Sequence, residues 1–240
     1  KLIGFCLSRL PYFFLEWVTE LLAWLLISNP NPRRRVILAN LAHAFPDWDY
    51  GKIKRVAHES IARMFEMGFF SLCYPFLPSN VLRRTLFYDL KTEKQLDDLR
   101  RSKKPVLFLL PHTCLFETLA TSPFFRPFGG KTLGAIYRPN KNKALDQWIT
   151  RSREALGLKV FSRKHGLIKA RNHLKNGNWL VVLYDQNAGL RGIGSTFLGR
   201  ICSISPLPDL LAKNKNVLCI HAVAKRLSFF RTQLELENIK

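Results

Sequence analysis

Acidic side chains are scarce in this sequence of 240 residues, which has 17 Asp and Glu against 38 Lys and Arg and a formal net charge of +21. Its five cysteines are scattered and form no Cys-x-x-Cys pair, which excludes a disulfide framework and a cysteine zinc site and fits a reducing compartment. No Ser/Gly-rich or single-sign block interrupts the chain, and 47% of its residues are hydrophobic, so wholesale disorder is excluded as well. The composition therefore predicts a folded protein with a sizeable core and anionic partners.

The shortage of acids is confined to the second half of the chain. Residues 99–234 carry 24 basic and five acidic groups, whereas residues 1–98 carry 13 basic and ten acidic groups. Such a surplus suits nucleic acid, a phospholipid surface, a phosphorylated substrate or an acidic protein, and charge alone leaves these four open. The acids of the basic half are candidates for specific roles because each sits in a cationic setting. They are Glu117, Asp146, Glu154, Asp185 and Asp209.

Residues 11–27 form the most apolar stretch, and at 17 residues it lies at the lower edge of what crosses a bilayer. Glu16 and Glu20 are four residues apart and share one helical face, and such charges exclude the apolar region of a secretory signal peptide. We expect an amphipathic helix that lies on a membrane surface or inserts shallowly, with Arg33, Arg34 and Arg35 meeting lipid phosphates. The alternative is a helix packed on the protein's own core.

Short aliphatic runs alternate with helical patterns after residue 86, and two further helices are predicted before it, over residues 36–45 and 52–74. Strands are predicted over 106–110, 132–137, 159–161, 179–184, 217–224 and 229–236, and helices over 114–124, 144–156, 166–175 and 206–213. This alternation predicts an α/β fold with a largely parallel, mixed sheet flanked by helices, whose last two strands form an antiparallel hairpin. We expect three parts, a membrane-associated helix over 1–32, a helical region over 33–85 and an α/β core over 86–240, with sequence trimmed from both ends.

His112 follows the predicted strand over 106–110, and Glu117 lies five residues further on. Functional groups collect at the carboxyl ends of strands in α/β sheets, which makes His112 a candidate. With His112 in the turn and Glu117 one turn into the next helix, the carboxylate can reach Nδ1, fix the tautomer and leave Nε2 as a base for a hydroxyl proton. The competing interpretation is a capping histidine and an unrelated helix glutamate.

Other chemistry-bearing residues follow later strands. Asp185 and Gln186 come directly after the predicted strand over 179–184, although Asp185 is equally well read as a turn cap. The glycines of residues 189–194 lack the Gly-Lys-Ser/Thr of a phosphate-binding loop, and we expect a flexible loop there, with Arg191 and Arg200 available to phosphates. The histidines have no ligand spacing, so we predict no metal. Six cations look like a rim around the site: Lys141, Lys143, Arg151, Arg153, Arg163 and Lys164.

Five blocks in one order carry a family resemblance that spans nearly the whole chain. They are Arg33-Arg34-Arg35-Val36 with Phe45-Pro46 after the apolar helix, Pro111-His112 with Glu117, Ile136-Tyr137-Arg138-Pro139-Asn140-Lys141, Asp185-Gln186-Asn187-Ala188-Gly189, and Thr196-Phe197-Leu198-Gly199-Arg200. In this order and spacing the sequence resembles the late (lauroyl and myristoyl) acyltransferases of bacterial lipid A biosynthesis, within the wider His-x4-Asp/Glu glycerolipid acyltransferases.

The resemblance implies transfer of a fatty acyl chain from acyl carrier protein to a hydroxyl of a phosphorylated lipid A precursor, without an acyl-enzyme or a cofactor. It implies His112 as general base, Glu117 as the group that orients it, and Arg138 or a nearby backbone N–H as donor to the thioester oxygen. Asp185 and Gln186 would place the substrate or hold Arg138.

The expected partners are therefore acyl carrier protein, a phosphorylated glycolipid and an anionic membrane, and the expected location is the cytoplasmic face of the bacterial inner membrane. Acylation of another glycolipid or of a lysophospholipid stays open. So does a non-catalytic basic module that binds membrane or nucleic acid, although the sequence shows none of the usual nucleic-acid signatures.

Overall fold

The computed structural model describes residues 2–113, 115–122, 125, 127–163, 165–214 and 216–239, with Arg191 described in its backbone alone. The helices are α1 (Leu2–Ser8), α2 (Tyr12–Ser28), α3 (Pro32–Ala44), α4 (Tyr50–Cys73), α5 (Ser79–Leu82), α6 (Leu90–Arg101), α7 (Thr118–Thr121), α8 (Lys143–Glu154), α9 (Leu167–Lys175) and α10 (Leu207–Ala212). The strands are β1 (Leu86–Phe87), β2 (Val106–Leu110), β3 (Leu133–Tyr137), β4 (Lys159–Ser162), β5 (Trp179–Leu183), β6 (Ile193–Phe197), β7 (Arg200–Ile204), β8 (Leu218–Ser228) and β9 (Arg231–Asn238).

The chain divides into two compact units. The first comprises Lys1–Leu77 with Gly194–Ser203, and the second comprises Pro78–Ile193 with Ile204–Lys240. The expected division into 1–32, 33–85 and 86–240 stays a prediction.

Helix α2 of the first unit has two different faces. Leu15, Ala23 and Ile27 are buried, and α2 packs along α4. On the opposite side Phe13 and Trp17 are 76% and 59% exposed. Features of both predicted forms are therefore present. One face of the helix packs on the protein core, and the other carries exposed aromatic rings, as an amphipathic surface helix would.

The acidic residues of α2 lie on its packed side. Glu20 forms an ion pair with Arg63 of α4, and Glu16 lies 3.8 Å from the same guanidinium. Arg63 also donates a 2.8 Å hydrogen bond to Glu66, whose side chain is fully buried. No single helix among the described residues is long and apolar enough to cross a membrane, but α1 and α2 together, bent by 118°, have the length and composition to do so.

Seven strands of the second unit form one mixed sheet in the order β1-β9-β8-β2-β5-β3-β4. The strands β8, β2, β5, β3 and β4 are parallel to one another, whereas β9 pairs antiparallel with β8 and parallel with β1. The predicted α/β class, mostly parallel sheet and terminal hairpin are thereby confirmed.

Alternate residues of the central strand β2 serve the two faces of the sheet, as its pleat requires. Val106, Phe108 and Leu110 pack with residues of α6 and α7 on one face. Leu107 packs with residues of α9 and α10 on the other face. Because both faces are covered, β2 reads as a continuous apolar run, which is typical of a buried parallel strand.

The segment after His112 differs most from its predicted form. Instead of a helix over 114–124, the described part contains turns at Leu115–Glu117 and the short helix α7, and Cys114, Pro123 and Phe124 lie outside the described residues. The reason is local, because Leu115 has φ +60° and a left-handed residue cannot continue a right-handed helix. The expected loop over 189–194 is also replaced in part, since β6 begins at Ile193 and turns into β7 through Leu198 and Gly199, both with positive φ.

Candidate active site

Strand register brings His112 and Asp185 together. β2 and β5 are parallel neighbours in which Leu110 lies opposite Leu183. His112 and Asp185 each come two residues after these partners, so both leave the same edge of the sheet side by side. The backbone N–H of Tyr184 donates to the carbonyl of Leu110 at 3.3 Å, which extends the pairing beyond the strands.

The Asp185 carboxylate binds His112 through both of its oxygens. Oδ2 accepts a 2.8 Å hydrogen bond from the backbone N–H of His112, and Oδ1 is hydrogen-bonded to Nδ1 of the imidazole. An ionised carboxylate only accepts, so Nδ1 is the donor of this bond, and in the neutral imidazole that leaves the lone pair on Nε2. The ring of Phe116 meets the imidazole edge-on, with centroids 5.6 Å apart.

This geometry corrects the sequence-based assignment of the imidazole's partner. Glu117 was expected to reach Nδ1, and Asp185 was expected to place substrate, hold Arg138 or cap a turn. In the structure Asp185 occupies the position expected of Glu117. The physical reason is that residues at the ends of adjacent strands lie closer than residues separated by a turn with left-handed backbone.

Glu117 is paired with Arg153 of α8 instead. Nε of Arg153 donates to Oε2 at 3.3 Å, and its Nη2 donates to Oε1, so the contact is bidentate. Side-chain exposure is 9% for Glu117 and 17% for Arg153, which leaves little water to screen the pair. Arg153 was expected on a cationic rim. In the structure it pairs with Glu117, the acid that the sequence had assigned to His112.

Buried threonines tie the loop that carries His112 and Glu117 to the sheet. The hydroxyl of Thr118, directly after Glu117, bonds that of Thr232 in β9 at 2.7 Å and also donates to the carbonyl of Leu115 at 2.8 Å. Thr121, one turn further, bonds the hydroxyl of Thr85 at 2.8 Å. The short helix α7 is therefore fixed at both ends, which holds Glu117 in place.

A cavity of about 280 Å³ opens beside these groups. Its apolar wall includes Leu119, Leu133, Ile149 and Leu158, and His112 also lines it. Polar and charged side chains from several elements complete the lining: Glu117, Tyr137, Arg138, Asn140, Asp146, Arg153, Arg163, Tyr184, Gln186 and Ser205. A mainly apolar cavity with a few convergent polar groups is the usual form of a ligand site.

The remaining predicted site residues are distributed as follows. Arg138, directly after β3, and Gln186 line the cavity, whereas Lys141 is exposed on the loop before α8. Arg191 ends a short 3-10 helix, Gly189–Arg191, and its side chain lies outside the described residues. Arg200 begins β7 and belongs to the first unit, whereas the others belong to the second. Among the described residues no group of three or more His, Cys, Asp or Glu is arranged to hold a metal ion.

The sequence model of one protein family, bacterial lipid A biosynthesis acyltransferase, matches residues 2–227. The chain belongs to the bacterial lipid A biosynthesis acyltransferase family. It is therefore an acyltransferase, and the non-catalytic module considered from the sequence is set aside. No curated protein matches the chain closely enough to refine this assignment.

Tyr184 of this acyltransferase was missed from the sequence. It lies between the last residue of β5 and Asp185, and its hydroxyl is 3.2 Å from Nε2 of His221 in β8. Burial, and then the negative charge of Asp185, raise the pKa of Tyr184 above its usual value, so its hydroxyl stays protonated. The signal that could have found it is its place at a strand end, next to an acid already singled out.

Proposed function

We propose that this acyltransferase moves a fatty acyl chain from an acyl carrier protein thioester to a hydroxyl, of a sugar or of a bound hydroxyacyl chain, in a phosphorylated lipid A precursor. The observation that carries the proposal is the imidazole of His112, held through Nδ1 by Asp185 beside an apolar cavity. Family membership supports an acyl donor and a lipid A precursor as acceptor.

The held tautomer suits general-base catalysis. Nε2 of His112 takes the proton of the acceptor hydroxyl as its oxygen attacks the thioester carbonyl, and the carboxylate of Asp185 stabilises the imidazolium that forms. When the tetrahedral intermediate collapses, the carbon–sulfur bond breaks and the imidazolium returns the proton to the leaving thiolate. The acyl group passes directly to the acceptor, and no acyl-enzyme forms.

Negative charge on the thioester oxygen in the intermediate requires a donor. Arg138 is the proposed donor because it lines the same cavity as His112, and a backbone N–H near it is the alternative. Gln186 lines the cavity and is proposed to contact substrate. Lys141, Arg191 and Arg200 stay proposals for substrate binding from the sequence.

Glu117 takes a positioning role in this scheme. Its bidentate pair with Arg153 holds a guanidinium against the cavity wall, so that Glu117 acts through Arg153 and not on the imidazole. Neither member of this pair is highly exposed, and loss of one would leave the other charged and poorly solvated.

The charge distribution supports the proposed partners. A net +19 over residues 99–234 attracts an acidic carrier protein, a phosphorylated glycolipid and an anionic membrane alike. The aromatic face of α2 and the bent pair of α1 and α2 support membrane association. We therefore propose action at the cytoplasmic face of the bacterial inner membrane.

The test is acyl transfer by the purified protein, with the acceptor analysed by mass spectrometry after incubation with carrier-bound acyl chains of several lengths. His112→Ala should lower the turnover of a lipid A precursor by at least about 100-fold. His43→Ala, an exposed histidine of α3 in the first unit, is the control and should transfer normally. Most of the activity surviving in His112→Ala would refute the base assignment, and acylation of a lysophospholipid in place of the lipid A precursor would refute the acceptor.

A further inference from the structure

Two arginines leave neighbouring strands at adjacent positions. β3 and β4 are parallel, and their last paired residues are Tyr137 and Ser162. Arg138 and Arg163 follow these residues directly, and the backbone N–H of Arg163 donates to the carbonyl of Tyr137 at 2.8 Å. Neighbouring strands lie about 5 Å apart. Both side chains line the cavity that contains His112, and both are exposed, which places them at its solvent side.

Neither arginine has an acidic partner among the described residues. The two acids that line the same cavity are engaged elsewhere, Glu117 by Arg153 and Asp146 by its own loop. Oδ1 of Asp146 accepts from the backbone N–H of Asn140 at 2.7 Å, and its Oδ2 accepts from the hydroxyl of Tyr137 at 3.4 Å. Within the described part of the protein, therefore, no acid is in ion-pair contact with either arginine.

The backbone fixes the starting point of Arg163 on both sides. Strand pairing holds the residue before it, and after it the backbone N–H of Gly166 donates to the carbonyl of Ser162 at 2.6 Å. A Cβ at Gly166 would lie 2.7 Å from the backbone nitrogen of Ser162, so only glycine permits this approach. The scaffold thus fixes the backbone positions from which the two arginine side chains start.

Two like charges side by side on adjacent strands destabilise the fold unless something compensates them. A phosphate group supplies that compensation, because its oxygens match the donor fork of a guanidinium and its charge balances the pair. The geometry points to a binding site for a substrate phosphate, formed by Arg138 and Arg163 at the solvent side of the cavity; the donor to the thioester oxygen is then the backbone N–H near Arg138 and not its guanidinium. Both proposed substrates carry such a group, the donor in its phosphopantetheine arm and the acceptor on its sugar, so the choice between these sources rests on the proposed function.

The kinetic test compares two substitutions on one strand. Arg163→Gln removes the charge at the carboxyl end of β4, and Lys159→Gln removes an exposed charge at its amino end, away from the cavity. We expect Arg163→Gln to raise one KM about ten-fold with kcat within about two-fold, and to weaken the salt dependence of that KM. If the KM for the carrier-bound acyl donor rises, the phosphate bound at this site is that of the phosphopantetheine. If the KM for the acceptor rises, it is the phosphate on the sugar. The proposal is overturned if Arg163→Gln behaves like Lys159→Gln.

A binding test separates this site from the proposed reaction. Free 4′-phosphopantetheine and glucosamine 1-phosphate are titrated into the protein beside pantetheine and glucosamine, which lack the phosphate. The unsubstituted protein and Lys159→Gln should bind one phosphorylated compound about ten-fold more tightly than its unphosphorylated counterpart, and Arg163→Gln should lose that preference. If this preference is found while acyl transfer is not, the proposed function fails and the phosphate site stands. If no phosphorylated probe is preferred, the site itself is refuted.

Discussion

Substituting Asp185 by Asn separates the two candidate partners of His112. Asp185 makes two hydrogen bonds to His112, one of them to Nδ1 of the imidazole. In Asp185→Asn the amide oxygen can keep the bond from the backbone N–H, which turns the NH2 group toward the imidazole. The imidazole must then accept at Nδ1 and carry its proton on Nε2, which is the wrong tautomer for a base.

The expected fall in kcat depends on how much the general base contributes to the rate and on how exposed its side chain is. A positioned general base contributes about 10²- to 10⁴-fold to a rate. The side chains of His112 and Asp185 are 29% and 36% exposed, so water screens part of their interaction. We therefore expect kcat for Asp185→Asn to fall about 100- to 1000-fold, or about 3 to 4 kcal/mol, with little change in KM.

The matched variant is Glu117→Gln, which removes a charge from the Glu117–Arg153 pair and leaves the imidazole's contacts intact. We expect kcat to fall less than about ten-fold, because Glu117 acts through Arg153. Steady-state kinetics with carrier-bound acyl donor and lipid A precursor measure both variants, and a thermal unfolding scan confirms that both are folded. The assignment is refuted if Glu117→Gln loses more than about 100-fold while Asp185→Asn stays within ten-fold of the unsubstituted enzyme.

Two further predictions concern stability. Leu115 is buried with φ +60°, a backbone conformation that glycine adopts without strain. Leu115→Gly should therefore be more stable than Leu115→Ala by about 1 kcal/mol in urea unfolding, whereas alanine is usually the more stable of the two. A more stable Leu115→Ala would contradict the left-handed backbone. Burial, with a smaller contribution from Lys159, lowers the pKa of His173 in the folded protein below its usual value. As the pH falls, the unfolded chain therefore binds the proton first. Stability is lost as the pH falls through about 6.5, the unfolded pKa, toward the lower folded pKa. His173→Gln, which does not titrate, should lose less stability between pH 7 and pH 5, and an equal loss in both proteins would exclude His173 as the source.

Local patterns in the sequence predicted most of the fold. The aliphatic run over Val106–Leu110 and the alternation after it were enough for an α/β class with a mostly parallel sheet, because a buried strand and an amphipathic helix each have a distinct period. The predicted helix over 114–124 was wrong because of one residue, Leu115, whose φ is positive. Leucine rarely adopts a positive φ, so the sequence gives no sign of it.

The sequence predicted several residues of the candidate site as cavity or strand-end residues, but not which side chains pair with each other. His112 and Asp185 were singled out because each follows a strand, and Arg138 because of the family resemblance, yet strand order decides which of them meet. That order depends on tertiary packing, and no local spacing encodes that β2 lies beside β5 or β3 beside β4. Closeness along the chain favoured Glu117 as the imidazole's partner, whereas closeness across the sheet selected Asp185.

The pairing of β1 with β9 has a consequence for how the enzyme is made. Leu86 and Phe87 pair with Thr232 and Gln233, so β1 pairs with a strand that is synthesised much later in the chain. Until β9 is synthesised, β1 has no neighbour on that side, and the hydroxyl of Thr118 and the backbone carbonyl of Thr85 lack the bonds that Thr232 of β9 supplies. The helices α1–α4 pack on one another within the first 73 residues, so they can assemble while the chain is still growing. Synthesis therefore delivers a helical segment early and an active acyltransferase only after β9 has emerged.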